Sequence, residues 1–148
     1  MNIKKVIMIW IMVSFSAVAL AANYAIIVHK GNPESEISSR ELKRIFLGKK
    51  TTWPNGDKIE IAVLREGDVH KEFLKDVVGK SPLQFSLYWK RFIFTGTATP
   101  LKIVKSEGEM KAFIRANPEA VGYISVEALD DTVKRIFIRK MVRIESEF

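Results

Sequence analysis

The chain has 148 residues, 24 Lys+Arg against 17 Asp+Glu for a net charge of +7, and no cysteine. The missing cysteines exclude disulfides, thiolate metal sites, cysteine nucleophiles and a lipidated cysteine anchor. The basic excess favours anions and acidic surfaces as partners, although a modest excess also describes an ordinary soluble surface.

Residues 1–21 read as an export signal. Lys4 and Lys5 make a positive start, residues 6–20 are apolar apart from Ser14 and Ser16, and Ala19-Leu20-Ala21 has the small-x-small spacing of a cleavage site. The apolar run falls short of the ~20 residues a spanning helix needs. An uncleaved membrane anchor is the alternative. Cleavage after Ala21 leaves one domain, 22–148, large enough for a single core. Losing Lys4 and Lys5 leaves 22 cationic residues against 17 acidic ones, a net of +5. An exported chain without a lipid anchor is expected in a Gram-negative periplasm, where nucleic acid is not a partner.

Short β-type runs alternate with helical segments through the rest. That order predicts an α/β fold: a doubly wound, mostly parallel sheet of about five strands with flanking helices. Tyr24–Val28 is the first strand, followed by a turn at Gly31, Asn32 and Pro33. Ser38 and Glu41 form an S-x-x-E capping box, with Ile37 and Leu42 placed as a hydrophobic staple. Leu42, Ile45 and Phe46 then share one helix face, and Gly48 ends it. Trp53-Pro54-Asn55-Gly56 turns the chain into a strand at 59–64.

A second helix is expected over 69–78, with Asp68 as its N-cap and Gly79 as its stop. Ser81, Pro82 and Gln84 start a third. Its apolar residues Leu83, Leu87, Tyr88, Trp89, Phe92 and Ile93 are read as core rather than as a ligand cage. A polar loop from Thr95 to Pro100 leads to a strand at 101–104. Ser106 and Glu109 cap a fourth helix that stops at Asn117-Pro118. Strands at 121–124, buried, and 133–138, more amphipathic, complete the chain.

Catalytic patterns are missing. His29 and His70 are the only histidines and fall on different elements. Ser38, Ser39, Ser81 and Ser106 are placed as helix caps, and no H-E-x-x-H, nucleophile elbow or P-loop occurs. The expectation is a binding protein with no cofactor and no metal. Open α/β sheets bind ligands beyond the carboxyl ends of their strands, where helix N-termini offer donors. Arg65, Gly67, His70 and Lys71 lie in a strand-to-helix segment of that type and are the main anion-binding candidates. Thr95, Gly96 and Thr97 are secondary ones, offering hydroxyls and a flexible backbone.

Ile45-Phe46-Leu47-Gly48-Lys49 followed by Trp53-Pro54-Asn55-Gly56 resembles a stretch of the phosphate ABC-transporter substrate-binding proteins. Phe73-Leu74, Tyr88-Trp89, Phe94-Thr95-Gly96 and 117–124 (NPEAVGYI) are similar, in order and spacing, to the short relatives of that family. The resemblance runs from Tyr24 nearly to the C-terminus. It implies the type II periplasmic binding-protein fold, phosphate or a related oxyanion as ligand, and a link to an ABC transporter. Two departures stand out. The chain is long enough for one lobe of a two-lobed clamp, so a second copy or another chain would have to cover the half-cleft. The family's R-x-D-x-S-G-T phosphate loop keeps its arginine as Arg65, but Val69, His70 and Lys71 stand where Ser-Gly-Thr is expected. A second class of function follows from that loss: an interaction module that keeps the fold and docks on a transporter or sensor ectodomain.

Overall fold

Three serines punctuate the helices as their spacing predicts. The computed structural model describes residues 22–96 and 101–139, so the expected export signal and Thr97 lie outside the described residues. Helix α1 (Ser39–Phe46) starts from Ser38, whose hydroxyl accepts the Glu41 N–H while the Glu41 carboxylate accepts the Ser38 N–H. Helix α2 (Asp68–Phe73) continues into a π-helical turn (Leu74–Val78) that ends at Gly79, whose φ of 73° needs no strain in a residue without Cβ. Its N–H bonds the Leu74 carbonyl five residues back at 2.7 Å. Helix α3 (Pro82–Phe94) has the Ser81/Gln84 capping box and proline in its first turn, and α4 (Glu107–Ala116) starts from Ser106.

Six strands form one sheet in the order β2-β6-β1-β5-β3-β4. They are β1 (Tyr24–Val28), β2 (Glu36–Ser38), β3 (Glu60–Leu64), β4 (Leu101–Val104), β5 (Ala120–Ser125) and β6 (Lys134–Arg139). β2 pairs parallel with β6, and β3 parallel with both β5 and β4; β1 runs antiparallel to its neighbours β5 and β6. Five strands therefore point one way around a reversed β1. The sequence reading missed β2 and the reversal.

Alternation along β5 assigns the helices to faces. Tyr123 stacks on Phe73 of α2 with centroids 3.8 Å apart. Its neighbour Gly122 points the other way: a Cβ there would stand 2.4 Å from the Met110 sulfur of α4. Helix α4 therefore covers one face, and α1 and α2 cover the other. Phe46, Phe73 and Tyr123 are fully buried at the centre of that second face.

Helix α3 lies against the same side. Phe85 and Trp89 are buried, but Leu83, Leu87 and Ile93, expected in the core, are exposed, as is Phe94. The helix carries apolar residues around most of its circumference, and only one side meets the domain.

Candidate ligand site

Strand β3 ends at Leu64 on the buried sheet face, and the chain turns outward at Arg65, an exposed residue tied to β4 by its backbone N–H to the Val104 carbonyl. Gly67 then takes φ 107°, open only to glycine without strain, and becomes the N-cap of α2 with no side-chain capping bond. This corrects the expectation for Asp68, which is the first helical residue rather than the cap. Its carboxylate makes no capping bond to the helix. The first helical bond runs from the Lys71 N–H to the Gly67 carbonyl at 3.0 Å. The N–H groups of Asp68, Val69 and His70 are the ones a helix start leaves over.

His70 does not face this loop. It is 5% exposed, and its Nδ1 meets the Tyr123 hydroxyl. That hydroxyl also accepts the Leu64 N–H at 3.1 Å. Its own proton is then free for His70 Nδ1, which leaves the imidazole proton on Nε2. Burial holds the imidazole below its ordinary pKa and pushes the Tyr123 hydroxyl up. His70 is thus a neutral group of the interior and contributes no charge to an anion at Arg65. Its spacing with Phe73, Leu74, Val77 and Val78 placed it on the apolar face of the helix, a signal that was available in the sequence.

Lys71 is exposed and turns toward a hollow of about 290 Å³ that it lines with Lys75, Gly79, Lys80, Ser81 and Pro82. Lys43 adds its charge nearby, its Nζ 3.8 Å from where a Cβ on Gly79 would stand. Lys75 and Lys80 had no motif to mark them; the π-helical turn and the α3 cap bring them together.

Thr95 and Gly96 lie elsewhere. They follow α3 and lead into the start of β4, whereas Arg65 follows the end of the parallel strand β3. Thr95 Oγ1 donates to the Phe92 carbonyl at 2.7 Å, closing the helix. The structure therefore brings Arg65, Gly67 and Lys71 together around the β3–α2 turn, while Thr95 and Gly96 belong to the C-terminal end of α3. Among the described residues no group of three His, Cys, Asp or Glu side chains is placed to hold a metal, and no helix is long and apolar enough to cross a membrane.

No protein-family model and no curated protein matches the chain. Solved structures do. A crystal structure of an ABC-type phosphate transport receptor from Vibrio cholerae aligns with a TM-score of 0.60 and 23% identity over 77% of this chain and 45% of its own. A phosphate ABC transporter substrate-binding protein from Clostridium perfringens, with bound phosphate, gives 0.61 and 24% over 78% and 44%. PstS from Borrelia burgdorferi gives 0.59 and 17% over 80% and 47%. The chain thus has the fold of a phosphate-transport substrate-binding protein. It spans less than half the length of those proteins, a single lobe of that architecture.

Proposed function

We propose that the protein is an exported, periplasmic binding lobe that holds phosphate or a related small oxyanion weakly at the β3–α2 turn, and serves an ABC transporter or its sensor. Arg65 carries the reading: a guanidinium with no ion pair among the described residues, beyond the carboxyl end of β3 and beside the uncapped start of α2, in a fold shared with phosphate receptors. The guanidinium matches an oxyanion in a bidentate manner. Gly67 lets the backbone approach, and Lys71 adds charge at one side. Glu66 and Asp68 oppose it.

An anion on one open face keeps much of its hydration and is screened by salt. The expected affinity is about millimolar, roughly 4 kcal/mol. Tighter binding requires a second copy or another chain to close over the turn. A thermal-shift series with phosphate, phosphonate, sulfate and acetate at low ionic strength tests this, because a ligand of the native state raises Tm by mass action. A saturating shift that disappears in Arg65→Ala supports the reading; flat curves for every anion sink it.

A second reading has its own support. Leu83, Leu87 and Phe94 form one stripe along α3 and are 68, 47 and 91% exposed. Contiguous apolar surface of that type marks interaction sites, which suits a module that docks on a transporter or sensor ectodomain. Crosslinking in periplasmic extracts, compared between the native chain and Leu87→Lys, separates the two readings.

A further inference from the structure

We propose that the groove between α3 and β4 is a second binding site, for a small organic anion: a carboxylate carrying one aromatic ring or a branched aliphatic chain. The hollow measures about 340 Å³, within the range of small-molecule sites. Its walls are apolar. The sheet supplies Val63, Leu101 and Ile103, which share a face because β3 and β4 pair Ile61 with Leu101 and Val63 with Ile103. Helix α3 supplies Phe85, Trp89 and Ile93. Ile93 and Ile103 are 57 and 55% exposed, so the groove leaves substantial apolar surface in water for an occupant to cover.

Four polar side chains line the groove, the neutral Ser86 hydroxyl and three groups that fix the sign of the occupant. His70, more than nine-tenths buried, forms part of the groove wall. Its Nδ1 is taken by Tyr123, while Nε2 has no hydrogen-bond partner among the described residues and keeps some solvent exposure. The hydrogen-bond order around Tyr123 puts the proton on Nε2, which makes it a donor. Arg65 and Lys90 also line the groove, and neither side chain has an ion pair or hydrogen bond among the described residues. No carboxylate lines the hollow. Two cations, two neutral donors (His70 Nε2 and the Ser86 hydroxyl) and no carboxylate select an anion. The apolar walls select against bare phosphate, which would lose hydration there with few donors to replace it. A single carboxylate with an apolar body satisfies both constraints.

The inference goes beyond the oxyanion reading; it shares Arg65 with that site but does not require phosphate to bind. Isothermal titration of the purified chain with phenylacetate, 4-methylpentanoate, phenylacetamide and inorganic phosphate at low ionic strength tests it. Saturable binding of both carboxylates is expected, at least tenfold tighter than the amide, abolished in Ile103→Glu and weakened in Lys90→Ala. Lys102→Glu, on the opposite face of the same strand beside Phe113, leaves it unchanged. Circular dichroism of Ile103→Glu checks that this exposed substitution keeps the fold. Absent binding, equal binding of the amide, or binding that survives Ile103→Glu in the folded variant overturns the proposal. Phosphate binding without carboxylate binding overturns it and leaves the oxyanion reading standing; carboxylate binding without phosphate does the reverse.

Discussion

The indole Nε1 of Trp89 donates to the carbonyl of Phe46 at 3.1 Å, and the adjacent Tyr88 hydroxyl donates to the carbonyl of Leu47 at 2.6 Å. Two neighbouring aromatics of α3 thus satisfy the carbonyls that the end of α1 leaves over. Between them the chain turns at Gly48, with φ 69°, and a Cβ there would stand 2.8 Å from the Phe92 ring. The Ile-Phe-Leu-Gly and Tyr-Trp segments, 41 residues apart at their closest bond, are one structural unit.

Gly48→Ala meets both obstacles at once, a left-handed backbone and an aromatic ring packed against the turn. A loss of about 2–3 kcal/mol follows from the strain and overpacking together. Trp89→Phe removes one hydrogen bond and some volume, for about 1–3 kcal/mol. Urea unfolding monitored by circular dichroism measures both, and a Gly48→Ala variant as stable as the native chain contradicts this account of the turn.

Tyr123→Phe strips the buried hydroxyl from Leu64 N–H and His70 Nδ1 together. Each buried group left without a partner costs about 1–3 kcal/mol, so the substitution should rank among the most damaging single-atom changes in the protein. Its stability relative to Ser38→Ala, which loses a helix cap worth about 1 kcal/mol, gives the comparison.

His70 gives stability a pH dependence. The buried imidazole has its pKa lowered from 6.5 by desolvation, so below pH 6.5 the unfolded chain takes up a proton that the native chain refuses. Its contribution is fully present above pH 6.5 and is lost as pH falls through the lowered native value. Carboxylates such as Glu41, held below 4.5 first by its hydrogen bond from Lys50, add their own loss only in more acid solution. Unfolding free energy measured at pH 7.5 and 5.5 should fall for the native chain and change less for His70→Gln.

The outer stripe of α3 behaves differently from its inner side. Leu83→Lys and Leu87→Lys change surface residues and should alter stability by no more than about 0.5 kcal/mol. Phe85→Ala and Trp89→Ala, taken from the buried side, should cost about 3–5 kcal/mol. Thermal melts of the four variants decide it.

The parts of the fold legible in the sequence are those with local causes. Ser38, Ser81, Ser106, Pro82 and Gly79 announce helix boundaries because capping and backbone freedom act within four residues. Strand β2 has three residues and exists through pairing of Glu36–Ser38 with Phe137, Ile138 and Arg139, about a hundred positions away, which no local pattern reveals. The direction of β1 was hidden for the same reason.

The positions of the candidate residues were legible in part. Arg65 and Gly67 stand where the strand-to-helix turn predicted, but Asp68 moved from cap to first turn because Gly67 supplies the cap position itself. His70 was read for its chemistry when its spacing already assigned it to the core. The Thr95 loop was judged by composition; of it the described residues include only Thr95 and Gly96, at the end of α3.

The most direct measurement is a titration of the 15N-labelled chain with inorganic phosphate at low ionic strength, followed amide by amide. Saturable shifts centred on Gly67, Asp68, Val69 and His70, absent in Arg65→Ala, are the predicted result. Uniform small drift across the spectrum, or saturable shifts centred elsewhere and indifferent to Arg65, would contradict the claim that this lobe binds an oxyanion at its β3–α2 turn.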